Sequence, residues 1–374
     1  MKTTGVTVDD LYLLIRNPED EELKKILDSL DEVFVEGWIR TNRDNGSIGF
    51  IALNDGTCFK NVQLVYDENT LNYKELAHLN TGASISVIGN FVLTPNAKQP
   101  FEIHVKEFEL EGDVASDYPL QKKAHSLEFL RDIAHLRPRA NTFNAVFRMR
   151  NAMAMAIHEF FQERGFMYVH TPIITGNDAE GAGSTFGVIT GDKEPFFGKP
   201  VSLTVSGQLH VEAFALAFRD VYTFGPTFRA EHSNTTRHAS EFWMIEPEIC
   251  FADLFDDIEC AENYLKFCLK YVLENNKDDL EFLEKNVEKG LQERLKNVVE
   301  NEFKRLSYTE AIDLLKNAVE KNKKLFIEKK ELTKEEKEQL AKEKKEKAEA
   351  KKKAKAAKKA AKENKEEEEK KEEQ

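Results

Sequence analysis

The chain has 374 residues and a formal net charge of −13 at pH 7, with 54 lysines and arginines against 67 aspartates and glutamates. Hydrophobic residues make up 41% of it, enough for two domains and a sizeable core. The acidic balance excludes nucleic-acid binding by bulk charge, so any RNA contact must come from a local patch. No stretch is apolar enough to span a membrane. Four cysteines without CxxC spacing are expected to be reduced thiols of a cytoplasmic protein.

The first 32 residues predict a helical appendage, because leucines and isoleucines recur there at helical spacing. From residue 33 to residue 111 the pattern changes to five short β-rich runs, separated by turn sequences such as DNGS and NDGT. Five strands in this arrangement fit a small closed barrel better than an open sheet, so we expect an OB-fold.

Barrels of this kind bind single-stranded nucleic acid by stacking bases on aromatic side chains. Arg43, Phe50 and Gln63 are the candidates for such a surface. Each also has a plainer interpretation, Phe50 as part of the core and the other two as solvated surface residues.

A polar hinge over residues 112–126 leads to a second domain that begins with a short helix closed by a proline. A strong amphipathic helix follows, and Gly165 ends it as a C-cap. Such an apolar stripe ordinarily packs in a core. Its members are Phe143, Val146, Phe147, Met153, Ala156, Ile157, Phe160 and Phe161.

Two further segments carry features of a ligand site. The Gly-rich loop GNDAEGAGSTFGV lacks the spacings of a P-loop or a Rossmann fingerprint. The run VSLTVSGQLHVEAFALAF predicts a strand leading into a helix, with Ser206 and Gln208 at the turn. Donors at such a turn commonly line a ligand site.

The densest group of charges lies in residues 227–248, which read TFRAEHSNTTRHASEFWMIEPE. Alternation along a strand puts Arg229 with Glu231 on one side, and likewise Glu246 with Glu248. We expect two antiparallel strands joined by a basic loop, with Phe228, Trp243 and Ile245 toward the core. A salt-bridged surface hairpin is the alternative, but an arginine fork among aromatic residues suits a phosphate in a cleft. The charged set is Arg229, Glu231, His232, Arg237, His238, Glu241, Glu246 and Glu248.

The segments FRAE, TRH and EFWMIEPE resemble motif 2 of class II aminoacyl-tRNA synthetases, in the form of the asparaginyl enzymes. The resemblance implies that Arg229 is the catalytic residue that binds the α-phosphate of ATP. It assigns Glu231 to the adenine end, and Arg237 and His238 to the outer phosphates.

The resemblance extends to other regions of the chain. Residues 33–111 resemble the anticodon-binding domain of the aspartyl and asparaginyl enzymes, which assigns Arg43, Phe50 and Gln63 to the anticodon of asparagine tRNA. The amphipathic helix, Gly165, the strand after it and Pro172 resemble motif 1, which implies a homodimer. In the Gly-rich loop the resemblance places Glu180 near the α-ammonium of the amino acid.

Two positions bear on which amino acid is bound. Where this chain has Val211, the aspartyl relatives carry a lysine. Where it has Glu246, they carry an aspartate. The Glu246 carboxylate can accept from an amide NH2 group. Both differences favour asparagine. The expected amino-acid site comprises Glu180, Ser206, Gln208 and Glu246.

The chain is predicted to be helical from Cys250 to Ala318, where the resemblance ends. Residues 319–374 are Lys, Glu and Ala almost throughout, which predicts a solvated helix or a disordered tail. The family's magnesium ligands and its motif 3, with a second ATP-binding arginine, are not found in this chain. Magnesium is implied by the family alone.

The expected fold is therefore α+β. An OB barrel precedes an incomplete class II catalytic domain, built on an antiparallel sheet over residues 127–318, and then the charged tail. The expected function is ATP-dependent activation of asparagine and its transfer to asparagine tRNA. The alternative is an inactive fragment that binds tRNA or dimerises, and we expect little amino-acid activation by the chain alone.

Overall fold

The computed structural model describes residues 5–330, apart from residues 18, 182–183, 192–193 and 234. It divides into two compact units, residues 1–302 and residues 303–374. Most of the tail predicted for residues 319–374 lies outside the described residues. No described helix is both long enough and apolar enough to cross a membrane.

Two short helices, α1 (Val8–Arg16) and α2 (Glu21–Ser29), precede the barrel. Thr7 starts α1 with a capping box, in which its side chain accepts from the Asp10 N–H while the Asp10 carboxylate accepts from the Thr7 N–H. Val8 and Leu11 are fully buried in the same core cluster as the barrel strands. The predicted helices are confirmed, and α1 is part of the barrel's hydrophobic core.

Five strands form a closed barrel in the order β1-β2-β3-β5-β4. Strand β1 pairs with β4 through its first half and with β2 from Trp38 onward, and a register shift between Ile39 and Thr41 lies within the pairing with β2. Such an irregularity bends a strand, which lets one strand close the barrel. The predicted OB-fold is confirmed. The strands are β1 (Glu32–Asp44), β2 (Ile48–Asn54), β3 (Val62–Asp67), β4 (Ser84–Leu93) and β5 (Phe101–Gly112), with helix α3 (Tyr73–His78) between β3 and β4.

The rest of the first unit contains helices around two small sheets of three strands, with the orders β11-β10-β6 and β7-β9-β8. Its helices are α4 (Leu127–Asp132), a 3-10 turn (Arg137–Arg139), α5 (Asn141–Glu163), α6 (Gln208–Phe218), α7 (Leu254–Asn275), α8 (Lys277–Asn286) and α9 (Leu291–Glu300). Its strands are β6 (Met167–Tyr168), β7 (Ile174–Thr175), β8 (Gly187–Val188), β9 (Val201–Leu203), β10 (Asp220–Phe228) and β11 (Glu241–Ile249).

Helix α5 supplies the main core of this region. Ala156, Ile157, Phe160 and Phe161 are buried in one cluster with Tyr222 of β10. Gly165 follows the helix with φ of +78°, a conformation that glycine adopts without steric cost. The predicted amphipathic helix and its glycine C-cap are confirmed.

Trp243 corrects one expectation, because its side chain was predicted to face the core and is 54% exposed. The strand alternation is as predicted, since Ile245 packs against the α5 cluster. Trp243 lies two residues nearer the hairpin loop and rests its ring edge on Phe224, with centroids 5.0 Å apart. The α5 cluster covers this face of the sheet at Ile245 and does not extend as far as Trp243.

The barrel is tied to the following region by helix α8. Arg148 of α5 pairs with Asp279 at 3.2 Å and also donates to the carbonyl of Thr57 at 3.1 Å. The rings of Phe59 and Phe282 lie 4.9 Å apart. Polar and aromatic contacts therefore fix the barrel against this helix.

Helix α10 (Tyr308–Lys330) belongs to the second unit. Ser307 caps it, because its hydroxyl accepts from the Glu310 N–H at 3.3 Å and its own N–H donates to the Glu310 carboxylate at 2.8 Å. The helix runs through residue 318, where the sequence places the end of the catalytic domain. That boundary stays a prediction.

Candidate active site

The predicted hairpin forms from β10 and β11, which pair in antiparallel register over their whole length. Thr223 lies opposite Glu246 and Val221 lies opposite Glu248, so both glutamates share the face that α6 covers through Val211. The N–H of Arg229 donates to the Ser240 carbonyl at 3.0 Å and extends the pairing by one residue. The hairpin therefore carries its acidic residues and Arg229 on strands held in fixed register.

Glu246 is held by the turn between β9 and α6. The Ser206 hydroxyl donates to one carboxylate oxygen, and the Gly207 N–H donates to the other at 3.0 Å. Ser206 itself is only 3% exposed. Two donors from adjacent residues fix the orientation of this carboxylate.

Gly207 is needed at this turn for reasons of space. A Cβ atom there would lie 2.7 Å from Thr171 Oγ1 and 2.9 Å from Thr223 Cγ2. Because real Cβ contacts are not that short, only glycine brings the backbone N–H close enough to bind Glu246.

Arg229 lies in a partly buried position with an incomplete set of partners. Its Nη2 donates to Glu180 Oε1 at 2.9 Å, and its guanidinium stands 5.4 Å from the centroid of the Phe242 ring. Its Nε is buried and has no hydrogen-bond partner among the described residues. A buried guanidinium donor without an acceptor is costly, and an oxyanion would satisfy it.

The ion pair of Arg229 with Glu180 and the hydrogen bonds that hold Glu246 lie in one site. Arg229 Nη2 also approaches the Val205 carbonyl at 3.5 Å, and Val205 directly precedes Ser206. The structure thus brings together four of the residues singled out from the sequence, namely Glu180, Ser206, Arg229 and Glu246.

The environment of this face is acidic. Burial raises the pKa of Glu248, and the nearby charges of Glu212, Glu246 and Asp257 raise it further. Such a concentration of carboxylates favours a bound cation, for example an ammonium group.

Gln208 and the loop residues lie apart from these contacts. Gln208 is exposed as the first residue of α6, and its amide donates to Glu212 at 3.0 Å. Glu231, Arg237 and His238 are exposed in the hairpin loop. The Arg237 N–H bonds to Thr235 at 3.3 Å, and the His238 ring also bonds to that hydroxyl. The structure does not bring these loop side chains to Arg229.

The barrel candidates meet in a separate groove. Arg43 lies opposite Phe50 across β1 and β2, and both line an open groove of about 790 Å³ together with Gln63. No Asp or Glu is among the described residues that line it. Arg16, Lys60 and Lys98 add positive charge, although Arg16 and Lys60 also pair with Asp278. The groove is a locally basic surface on an acidic chain.

Sequence reasoning overlooked two contributors to the site. Gly207 supplies a backbone donor and Val205 a carbonyl. The Ser-Gly dipeptide between a strand and a helix was the available signal for Gly207. The Val205 carbonyl depends on how this turn packs against Arg229, which a single sequence does not specify. Phe242 was expected among the aromatic residues around the charged side chains, and its ring does lie beside the Arg229 guanidinium.

Comparisons with known proteins agree with this geometry. The family described as tRNA synthetases class II (D, K and N) matches residues 126–370, and an OB-fold nucleic acid binding domain matches residues 33–111. The chain therefore belongs to the class II tRNA synthetase family of the D, K and N group.

Asparagine–tRNA ligases of bacteria are among the similar proteins. An asparagine–tRNA ligase of Clostridium botulinum (strain Eklund 17B / Type B) is 56% identical over 312 residues, which cover 78% of this chain and 67% of the relative. One from Acetivibrio thermocellus is 53% identical, covering 86% of this chain and 70% of the relative. The chain thus spans about two thirds of the length of these relatives.

A solved structure shares the fold. The asparaginyl-tRNA synthetase of Pyrococcus horikoshii, complexed with asparaginyl-adenylate, superposes with a TM-score of 0.68 at 29% identity. The likeness covers 78% of this chain and 65% of that one.

Proposed function

We propose that this chain serves as an asparagine–tRNA ligase, which activates asparagine with ATP and transfers it to asparagine tRNA. The observation that carries the proposal is the joined set of Glu246, Ser206 and Arg229. A fixed carboxylate that can accept from an amide lies beside a guanidinium with an unsatisfied buried donor.

The amide of asparagine is assigned to Glu246. A carboxylate has about four acceptor positions, and the two donors from Ser206 and Gly207 leave about two of them for an N–H of the substrate. Val211 is fully buried and apolar, so this position offers no cation to an aspartate side chain. The site therefore favours the neutral amide over a second carboxylate.

The reacting groups are assigned to Glu180 and Arg229. These two side chains pair with each other at 2.9 Å, and each matches one charge of the substrates. We infer that Glu180 turns to the α-ammonium of asparagine while Arg229 binds the α-phosphate of ATP. Catalysis then rests on positioning and on the positive charge of Arg229, with no side-chain nucleophile.

The outer parts of ATP are assigned to the hairpin loop. Glu231 is proposed for the adenine end, and Arg237 and His238 for the outer phosphates. Because the loop is exposed, these contacts require it to move toward Arg229.

Magnesium is the metal that the family uses with ATP. The part of the chain that the structure describes contains no cluster of three His, Cys, Asp or Glu side chains arranged to hold a metal ion. No step above is routed through the metal.

Transfer RNA is assigned to the basic groove of the barrel. Phe50 offers a ring for base stacking, and Arg43 offers donors beside it. The Gln63 amide donates to Glu102 at 3.2 Å and has a second N–H and its carbonyl oxygen for a base. The absence of acidic side chains among the groove's described lining residues supports this assignment.

Assembly and compartment complete the proposal. Large apolar side chains are exposed on α5 and on the motif 1 segment, among them Met155, Met167 and Tyr168. A surface of this kind fits a homodimer interface.

We place the reaction in the cytoplasm because all four cysteines are free thiols.

The substitution Glu246→Gln tests the amino-acid assignment. Replacing the carboxylate weakens its two charge-assisted hydrogen bonds and offers an NH2 group that opposes the substrate amide. We expect asparagine affinity to fall about tenfold or more, with ATP affinity nearly unchanged, as measured by calorimetry.

Glu241→Gln is the matched control, since Glu241 is exposed at the start of the same strand. It should bind both ligands as the parent does. Equal losses of asparagine and ATP affinity in Glu246→Gln, or tight aspartate binding by the parent, would refute the assignment.

A further inference from the structure

A second cavity lies where the barrel, the hinge and the first helices of the synthetase domain meet. Its volume is about 480 Å³, within the range of small-molecule sites. Trp38 and Arg40 come from β1, Lys123 from the hinge, and Arg139 from the turn before α5. The cavity shares no lining residue with the candidate active site.

The charge of its lining is unusual for this chain. Four cations line it, namely Arg40, Lys122, Lys123 and Arg139. None of the described residues that line it is Asp or Glu. On a chain with a formal net charge of −13, such a lining concentrates positive potential in one half-open cavity, with Arg40 partly buried and the other three cations exposed at its rim.

Arg40 is the central residue of this lining. Its Nη2 donates to Asn141 Oδ1 at 2.5 Å, and it makes no ion pair among the described residues. Burial lowers the pKa of Arg40, and the nearby charge of Arg139 lowers it further. A guanidinium carries five N–H donors, so a partly buried one with a single amide partner retains donors for an anion.

Arg139 is placed to act with Arg40. Its Nη1 donates to the Tyr118 hydroxyl at 3.2 Å, a neutral partner that leaves its charge uncompensated. Two guanidinium groups without carboxylate partners match the oxygens of a phosphate group, which accepts several charge-assisted hydrogen bonds.

The remaining wall suits a flat ring. Trp38 lines the cavity and is 45% exposed, so part of its indole is accessible to a stacking ring. The amide side chains of Asn54, Gln121 and Asn144 also line the cavity and offer donors and acceptors to the edge of a base.

We propose that this cavity binds a nucleotide, with its phosphate at Arg40 and Arg139 and its base against Trp38. The same chemistry is presented by a free mononucleotide and by a nucleotide within an RNA chain. The experiment therefore has one arm for each source.

Trp38 can report on its own cavity. The chain has two tryptophans, so Trp243→Phe leaves Trp38 as the single indole emitter. Titration of this variant with uridine monophosphate, uridine and inorganic phosphate follows the Trp38 emission. Uridine monophosphate is chosen because its base differs from that of ATP.

We expect uridine monophosphate to change the emission and to bind about tenfold or more tightly than uridine. Adding Arg139→Gln should weaken uridine monophosphate binding about tenfold or more, because a charged phosphate contact is lost. Arg150→Gln, at an exposed arginine of α5 that does not line the cavity, is the matched control and should leave it unchanged. Arg43→Gln distinguishes this cavity from the barrel groove. A thermal melt establishes that Arg139→Gln is folded.

The second arm measures binding of an asparagine tRNA transcript to the parent, Arg139→Gln and Arg43→Gln. If Arg139→Gln weakens transcript binding while uridine monophosphate has no effect on Trp38, the nucleotide comes from RNA. The proposal is overturned if Arg139→Gln alters neither ligand. It is also overturned if uridine monophosphate binding depends on Arg43 and not on Arg139.

Discussion

Glu246 shows how a single residue acquires its role from the elements around it. Its strand register places it opposite Thr223, and the turn at Ser206 and Gly207 supplies both of its donors. The side chain is thus held in one orientation by protein contacts alone, which would lower the entropy cost of the asparagine binding proposed for it.

Phe50 is the residue on which the barrel's RNA assignment depends most. Phe50→Ala removes one stacking surface, so we predict a loss of about 1 to 3 kcal/mol in binding free energy for asparagine tRNA. Filter binding of asparagine tRNA at a fixed salt concentration measures this loss of affinity. Phe108→Ala is the control, because Phe108 packs against the same barrel core but does not line the groove. Equal affinities for the Phe50 variant and the parent would remove Phe50 from the anticodon site.

Site residues could be predicted from the sequence where their chemistry and motif are distinctive. Arg229, Glu180, Ser206 and Glu246 were selected by residue type and motif, and the structure brings them into one site. Gly207 was missed because its importance comes from the closeness of Thr171 and Thr223, which lie far from it in the sequence. Trp243 was misplaced because alternation predicts a face but not how far the core covers that face.

At the scale of elements, helix α8 joins the barrel to the synthetase domain through Asp279. The Asp279 side chain is 3% exposed and accepts from Arg148 at 3.2 Å and from the Asn276 amide at 3.2 Å. Burial raises the pKa of Asp279, and Arg148 opposes that rise. The contact between α8 and α5 therefore contains a buried carboxylate, and Arg148 is the cation that stabilises its charged form.

This balance gives a pH-dependent prediction. Because the folded-state pKa of Asp279 is raised, the folded chain binds the proton more tightly, and stability falls as pH rises from the ordinary pKa to the folded one. Arg148→Met removes the positive charge that opposes the rise in the pKa of Asp279. The folded-state pKa then rises further, and the pH range over which stability falls extends to higher pH. We predict that Arg148→Met lowers the free energy of unfolding by about 3 to 5 kcal/mol at pH 7 and by less at pH 5.

Urea unfolding at both pH values measures the effect. Arg150→Met is the control, because Arg150 is exposed on the same helix and should change stability by less than about 0.5 kcal/mol. A loss in Arg148→Met that is the same at pH 5 and pH 7 would show that Asp279 is not the group involved.

The elements themselves were largely predictable. The barrel strands, helix α5 and the hairpin follow from periodicity and turn residues, and all three are present. Helix α3 and the docking of α8 were not predicted. Both depend on contacts between segments distant in sequence, such as Phe59 with Phe282, and periodicity carries no information about such pairs.

At the scale of the whole molecule, the exposed apolar residues on α5 and motif 1 predict self-association. Met155→Glu places a charge on this surface, where Met155 is 53% exposed, so we expect it to shift a dimer toward monomer. Light scattering after size-exclusion chromatography reports the mass. Leu71→Glu, at a leucine 60% exposed on the barrel, is the control and should leave the mass unchanged. A parent that is monomeric at all concentrations would contradict the interface.

The central claim is that one site holds the asparagine amide at Glu246 and the α-phosphate at Arg229. The most direct measurement is the affinity of the chain for the sulfamoyl analogue of asparaginyl-adenylate and for its aspartyl counterpart. We predict that the asparaginyl analogue binds about 10- to 100-fold more tightly, because an unpaired buried polar group costs about 1 to 3 kcal/mol. Arg229→Ala should weaken both analogues by a similar factor, while Glu246→Gln should reduce the discrimination between them. Equal affinities of the parent for the two analogues, or unchanged binding in Arg229→Ala, would contradict the account.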